Sequence, residues 1–99
     1  MKRENRFQGE VIKELKKIFP GCVVLKNDPN YIQGFPDLTV FYNEHWAWLE
    51  CKRSKDAEHQ PNQDGYIERG SEMSFARFIY PENKAEVFDE LQKAFRTRR

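Results

Sequence analysis

The sequence predicts one α/β domain, a four-stranded sheet with helices before, within and after it in the order α-β-β-β-α-β-α. Three observations carry that expectation. Apolar residues recur at helical spacing near both ends, and two β-rich runs in the middle are joined by Asn43-Glu44. A polar helical stretch then separates those runs from a fourth β-rich segment. A helical stripe and a sheet face must each be buried, so a sheet covered on both faces follows.

The first helix runs from Glu4 to Phe19, with Phe7, Val11, Ile12, Leu15, Ile18 and Phe19 as its stripe, and Pro20-Gly21 stops it. Cys22-Val23-Val24-Leu25 is a short strand that ends in turn formers from Lys26 to Asn30. Asp37–Tyr42 and His45–Lys52 form a hairpin. Pro61 is placed to open a helix that carries Gln63, Tyr66 and Ile67 and ends at Gly70. Phe75–Tyr80 is the fourth strand, closed by Pro81. Asn83 is placed to cap a last helix with the stripe Val87, Phe88, Leu91, Ala94 and Phe95.

The chain has 99 residues, which fits a single domain over 1–99, with basic ends at 1–3 and 96–99 that are free to flex. Its 38% hydrophobic and 14% aromatic content argues for a folded core despite 33% charged residues, and no apolar run is long enough for a membrane span. Seventeen Lys and Arg against sixteen Asp and Glu leave a net charge of +1, so attraction to nucleic acid must come from local patches. Within residues 1–20 Lys2, Arg3, Arg6, Lys13, Lys16 and Lys17 outnumber Glu4, Glu10 and Glu14, and residues 93–99 contain Lys93, Arg96, Arg98 and Arg99 and no acidic residue. Such ends suit a phosphate backbone. Cys22 and Cys51 form no CxxC pair and no secretory segment precedes them, which points to reduced thiols and a cytoplasmic location, the host's if the chain is viral. His45 and His59 have no companion ligand pattern, so structural zinc is set aside.

The chemistry concentrates in the hairpin. Glu50 and Lys52 lie two apart in an extended strand and share a face, with Leu49 and Cys51 on the other. An antiparallel neighbour that begins at Asp37 brings a second carboxylate beside Glu50. Two close anions repel unless a cation joins them, and a hard ion such as Mg2+ favours oxygen ligands and keeps several waters. One such water is a natural nucleophile, which Lys52 can orient or deprotonate while it neutralises charge on a phosphoryl oxygen. A lone ExK is more often a surface ion pair worth roughly 0–1 kcal/mol, and an Asp after Pro more often a turn residue. Placement in covered strands favours the joint reading, because uncompensated charge there is expensive.

Gly34-Phe35-Pro36-Asp37-Leu38 and then Glu50-Cys51-Lys52, with twelve residues between Asp37 and Glu50, resembles the PD-(D/E)XK nuclease signature. The helix ahead, and Gln63 on a helix behind, make the chain similar to small VRR-NUC nucleases and Holliday-junction resolvases. The resemblance implies a restriction-endonuclease-like core with a mixed sheet. It also implies Asp37, Glu50 and the Cys51 carbonyl as ligands of Mg2+, with Mn2+ able to substitute, Lys52 as the catalytic lysine, and Gln63 bonding a phosphate oxygen or a water near the metal. The family places a further acid on its first helix. Glu4, within the stripe, is favoured for that part over Glu10, the reserve, and Glu14 at the flank.

The implied activity is Mg2+-dependent endonucleolytic hydrolysis of DNA by activated water, with branched or junction DNA among the substrates. Lys2, Arg3, Arg6, Lys26, Arg53 and Lys55 are the expected nucleic-acid contacts, with Tyr31 beside them. One small site cuts one strand, so a homodimer is expected, with no organic cofactor. Trp46 and Trp48 read as core or dimer contacts and His59 as a solvent-exposed residue. The competing reading is a catalytically inactive DNA-binding module on a nuclease fold, and a protein-interaction factor with a solvated charged face is a further rival.

Overall fold

The computed structural model describes the backbone of residues 2–96 and the side chains of residues 5–96. Helix α1 spans Lys2–Ile18, two residues earlier than the stripe predicts, and carries Phe7, Val11 and Leu15 into the core. The strands are β1 (Val23–Lys26), β2 (Leu38–Tyr42), β3 (His45–Cys51) and β4 (Ala76–Ile79). Helix α2 (Gln63–Met73) lies between β3 and β4, and α3 (Lys84–Arg96) follows β4. The order α-β-β-β-α-β-α is the one the sequence predicts. None of these helices is long and apolar enough to cross a membrane.

The sheet order is β1-β2-β3-β4. β1 and β2 are antiparallel, as are β2 and β3, whereas β3 and β4 are parallel, so the sheet is mixed. The period of two sorts its residues cleanly. Leu38, Val40, Ala47, Leu49, Cys51 and Ile79 face α1 and α3 and join Val87, Phe88, Leu91 and Phe95 in one core. Thr39, Phe41, Trp46, Trp48, Glu50, Ala76 and Phe78 stand at the alternate register positions.

That second face departs from the expectation of full cover. α2 packs chiefly on β3 and β4, and Val23, Leu25 and Phe41, toward the β1 edge, are 53%, 48% and 43% exposed. One short helix cannot span four strands.

The bounds of α2 also differ. Pro61 does not open it. Asn62 takes a left-handed conformation, φ 76°, and the helix starts at Gln63. The chain turns there because Gly34, φ +83°, is pressed against Pro61 and Asn62: a Cβ on Gly34 would lie 2.7 Å from that of Asn62. Gly70 does not end the helix either. It lies inside, where a Cβ would stand 2.6 Å from Trp48 and 2.7 Å from Ala76, so it is the contact point of helix and sheet. Asn83 precedes α3 and its carbonyl takes the Val87 N–H, but its side chain turns back, accepting from Tyr80 N–H at 2.8 Å and donating to the Phe78 carbonyl at 3.0 Å. Cys51 ends β3 and Cys22 lies just ahead of β1. Both are free thiols, and burial pushes the Cys22 thiol up.

Candidate active site

The hairpin register brings Asp37 opposite Glu50, since Leu38 pairs with Leu49. Two bonds fix the pair. Asp37 N–H donates to Glu50 Oε1 at 3.1 Å, and Cys51 N–H donates to Asp37 Oδ2 at 2.9 Å. Each carboxylate is thereby held by the backbone of the other's strand, with Glu50 4% exposed and Asp37 half-buried. Asn27 braces the same corner. Its N–H donates to the Asp37 carbonyl at 2.8 Å, and its side chain donates to the Pro36 carbonyl at 2.9 Å and to Thr39 Oγ1 at 3.0 Å.

Lys52 follows the last residue of β3 and is 4% exposed. Its Nζ donates to Gln63 Oε1 at 2.8 Å and to the Glu58 carbonyl at 2.9 Å. Gln63, at the first turn of α2, is 8% exposed and joins the lysine to the acids: Nε2 donates to Glu50 Oε2 at 2.8 Å, while Oε1 also accepts from Gln60 N–H at 2.8 Å. The segment 53–62 therefore wraps back over the site. His59 is stacked 4.1 Å from Phe78, with Nδ1 2.7 Å from Asp64 Oδ1, and closes that wrap.

Asp37 lines a cleft of about 560 Å³ together with Asn5 and Gln8 of α1 and the segment Lys26–Pro29. Of the helical acids, Glu10 lies elsewhere: it is exposed in a groove with Arg6, Gly9, Ile12, Lys13 and Lys16. Glu14 pairs with Lys84 at 2.6 Å. The backbone at Glu4 belongs to α1, but its side chain lies outside the described residues, as do those of Lys2 and Arg3. Lys26 borders the cleft, Arg53, Lys55 and Tyr31 are exposed, and Arg6 lies in the Glu10 groove rather than beside Asp37.

The fit to a hard divalent ion rests on the donor set. Among the described residues no three of His, Cys, Asp and Glu converge as a metal cluster. What converges is an Asp–Glu pair whose aspartate borders a cleft. A few fixed oxygens with room for water suit Mg2+ better than an enclosed cage would.

Sequence reasoning missed Asn27, Asn5, Gln8 and the backbone groups of Glu58 and Gln60. A signal existed for Gln8, which stands one helical repeat, four residues, after Glu4. None existed for the backbone groups, which the fold alone delivers.

Two solved structures share this fold. One, described as "VRR_NUC domain", superposes with a TM-score of 0.64 at 20% identity over 98% of this chain and 98% of its own. The other, a "VRR_NUC domain protein", gives 0.64 at 15% identity over 94% of this chain and 88% of its own. No family model and no curated protein matches the chain. The chain thus shares the fold of these VRR_NUC domains over nearly its whole length.

Proposed function

We propose that this protein is a metal-dependent endodeoxyribonuclease that hydrolyses phosphodiester bonds directly, with no covalent intermediate. The observation that carries the reading is the continuous bonded set Asp37, Glu50, Gln63 and Lys52 beside an open cleft, on a nuclease fold. A purely structural ion pair needs neither the cleft nor a buried lysine linked to its acid through an amide.

Asp37, Glu50 and the Cys51 carbonyl would hold Mg2+, or Mn2+ in its place, with Glu4 as the helical acid. Such an ion, when bound, would supply a water that loses its proton more readily than bulk water and positive charge for the phosphoryl oxygens. Lys52 has three N–H donors, and two are committed to Gln63 and Glu58. The third is directed to the attacking water or to a nonbridging oxygen as negative charge grows there. Gln63 holds the ammonium and Glu50 in register and supplies no proton. The segment 53–62 limits water around Lys52, and Lys26, Arg53 and Lys55 contact the DNA backbone. As a homodimer, two such sites related by a twofold axis would match the symmetry of a duplex or a four-way junction.

The test is cleavage of linear and branched DNA with Mg2+ or Mn2+ against EDTA, with Asp37→Ala and Lys52→Ala proteins alongside. Metal-dependent cutting that both substitutions abolish supports the reading. Normal cutting by either variant overturns the assigned site.

A further inference from the structure

Gly9 lies near the middle of α1, exposed, and a Cβ added there would meet nothing within 4 Å. Glycine weakens a helix interior, so it normally stands there for a packing reason. Gly70 has one, since Trp48 and Ala76 occupy the space of its missing side chain. Within the described residues Gly9 has none. The space beside Gly9 is open to an occupant from outside the described residues.

The neighbours of Gly9 indicate what it is. Arg6, Gly9, Lys13 and Lys16 recur at alternating spacings of three and four and form one stripe, turned away from the buried Phe7, Val11 and Leu15. A shallow groove of about 480 Å³ lies along it, lined by these four residues with Glu10 and Ile12. Arg6, Lys13 and Lys16 are exposed and have no ion-pair partner among the described residues. At 1.5 Å per residue the three cations span about 15 Å of the helix axis. The stripe lies about a quarter turn around α1 from Asn5 and Gln8, which line the cleft at Asp37.

We propose that this outer face of α1 is a second docking surface for the DNA duplex, which continues from the cleft across the helix. Lys13 and Lys16 bind phosphates beyond the scissile one, and Gly9 lets the sugar-phosphate backbone lie directly against the helix. Charge selects this occupant over a second copy of the chain. In a twofold contact the stripe would meet itself, cation against cation, whereas a phosphate strand is its complement. The inference rests on the nuclease reading above and extends it to substrate length.

The experiment measures binding of a labelled linear duplex, without divalent metal, across a salt series for the wild type, Gly9→Ala, Gly9→Gln and Lys13→Ala/Lys16→Ala proteins. Thermal melting and cleavage of saturating DNA are measured alongside. Gly9→Ala is expected to raise Tm by a few degrees while weakening the duplex, a combination that a purely structural glycine does not give. Gly9→Gln is expected to weaken binding by about tenfold or more, and the double lysine variant to lower the slope of log K against log salt by about 2. The cleavage rate at saturation should be unchanged in all three. If the wild type binds and cuts but these variants keep its affinity and slope, the second surface is refuted and the nuclease reading stands. Loss of a dimer in Gly9→Gln with an unaltered salt slope also refutes it, by giving the face to a second copy. A wild type that neither binds nor cuts DNA overturns both proposals.

Discussion

The ammonium of Lys52 donates to Oε1 of Gln63 at 2.8 Å, and the nitrogen of the same amide donates to Oε2 of Glu50 at 2.8 Å. An ammonium has no acceptor and a carboxylate has no donor, so the amide can sit only one way round. Its oxygen faces the cation and its nitrogen the anion, where Lys52 and Glu50 are both 4% exposed. A neutral bridge thus fixes two buried charges that each need a partner.

Removal of the bridge separates structure from charge. Gln63→Leu leaves Lys52 with the Glu58 carbonyl and takes one donor from Glu50, a loss of about 1–3 kcal/mol that thermal melting will register. Cleavage should fall at least tenfold, because Lys52 loses the bond that aims it. Gln63→Glu keeps an acceptor for Lys52 but sets a carboxylate against Glu50. Its deficit relative to the wild type should be largest at neutral pH and shrink as pH falls, when one of the two acids gains a proton. A deficit independent of pH would show that the two side chains no longer meet.

Lys52→Met tests whether the lysine serves folding or chemistry. Methionine fills a similar volume without a buried charge, and Gln63 Oε1 keeps the Gln60 N–H at 2.8 Å. Stability should fall by up to about 3–5 kcal/mol, because one of two buried charges is removed while Glu50 stays. Cleavage should be lost while Mn2+ titration still shows binding. A variant that loses both fold and metal would make Lys52 a structural residue.

Asp37→Asn isolates the metal. The asparagine side-chain oxygen can still accept from the Cys51 N–H, so the metal-free variant should melt within about 0.5 kcal/mol of the wild type. Mn2+ at a hundred times its dissociation constant should stabilise the wild type by about 2.7 kcal/mol. The variant should gain far less. Equal metal-induced shifts in the two proteins would remove Asp37 from the ligand set.

The parts of the site that follow a local period were legible in the sequence. Alternation placed Glu50 opposite to the Leu49 and Cys51 face, and a hairpin register set Asp37 across from it, as the bonds between their strands now show. Gln63 was legible only as a residue on a nearby helix. Its burial at 8% depends on Asn62 turning left-handed against Gly34, a contact between segments nearly thirty residues apart. Asn83 stands directly ahead of α3, where the sequence places a cap, but its side chain can bond forward into the helix or back to Phe78 and Tyr80, and only the β4 turn decides. The incomplete cover of the sheet was likewise invisible: periodicity marks which residues pair with a helix, not how far that helix reaches.

Gly70 shows how a tertiary contact reverses a local preference. In an exposed helix Gly→Ala stabilises by about 0.5–1 kcal/mol. Here the added methyl would stand 2.6 Å from Trp48 and 2.7 Å from Ala76, both on the sheet surface under α2. Trp48 is hemmed in by Trp46, Phe35 and Tyr66, whose ring centroids lie 5.1, 4.9 and 6.4 Å away, so it has little room to yield. Gly70→Ala should therefore destabilise by about 1–3 kcal/mol, and α2 must lift from β3 to relieve the clash. That displacement moves Gln63, at the start of the same helix, away from Glu50 and Lys52. Cleavage should fall together with Tm in Gly70→Ala, and Trp48→Phe in the same protein should recover part of both by returning space under the helix. An unchanged Tm in Gly70→Ala would mean that the helix does not rest on Trp48 at this point.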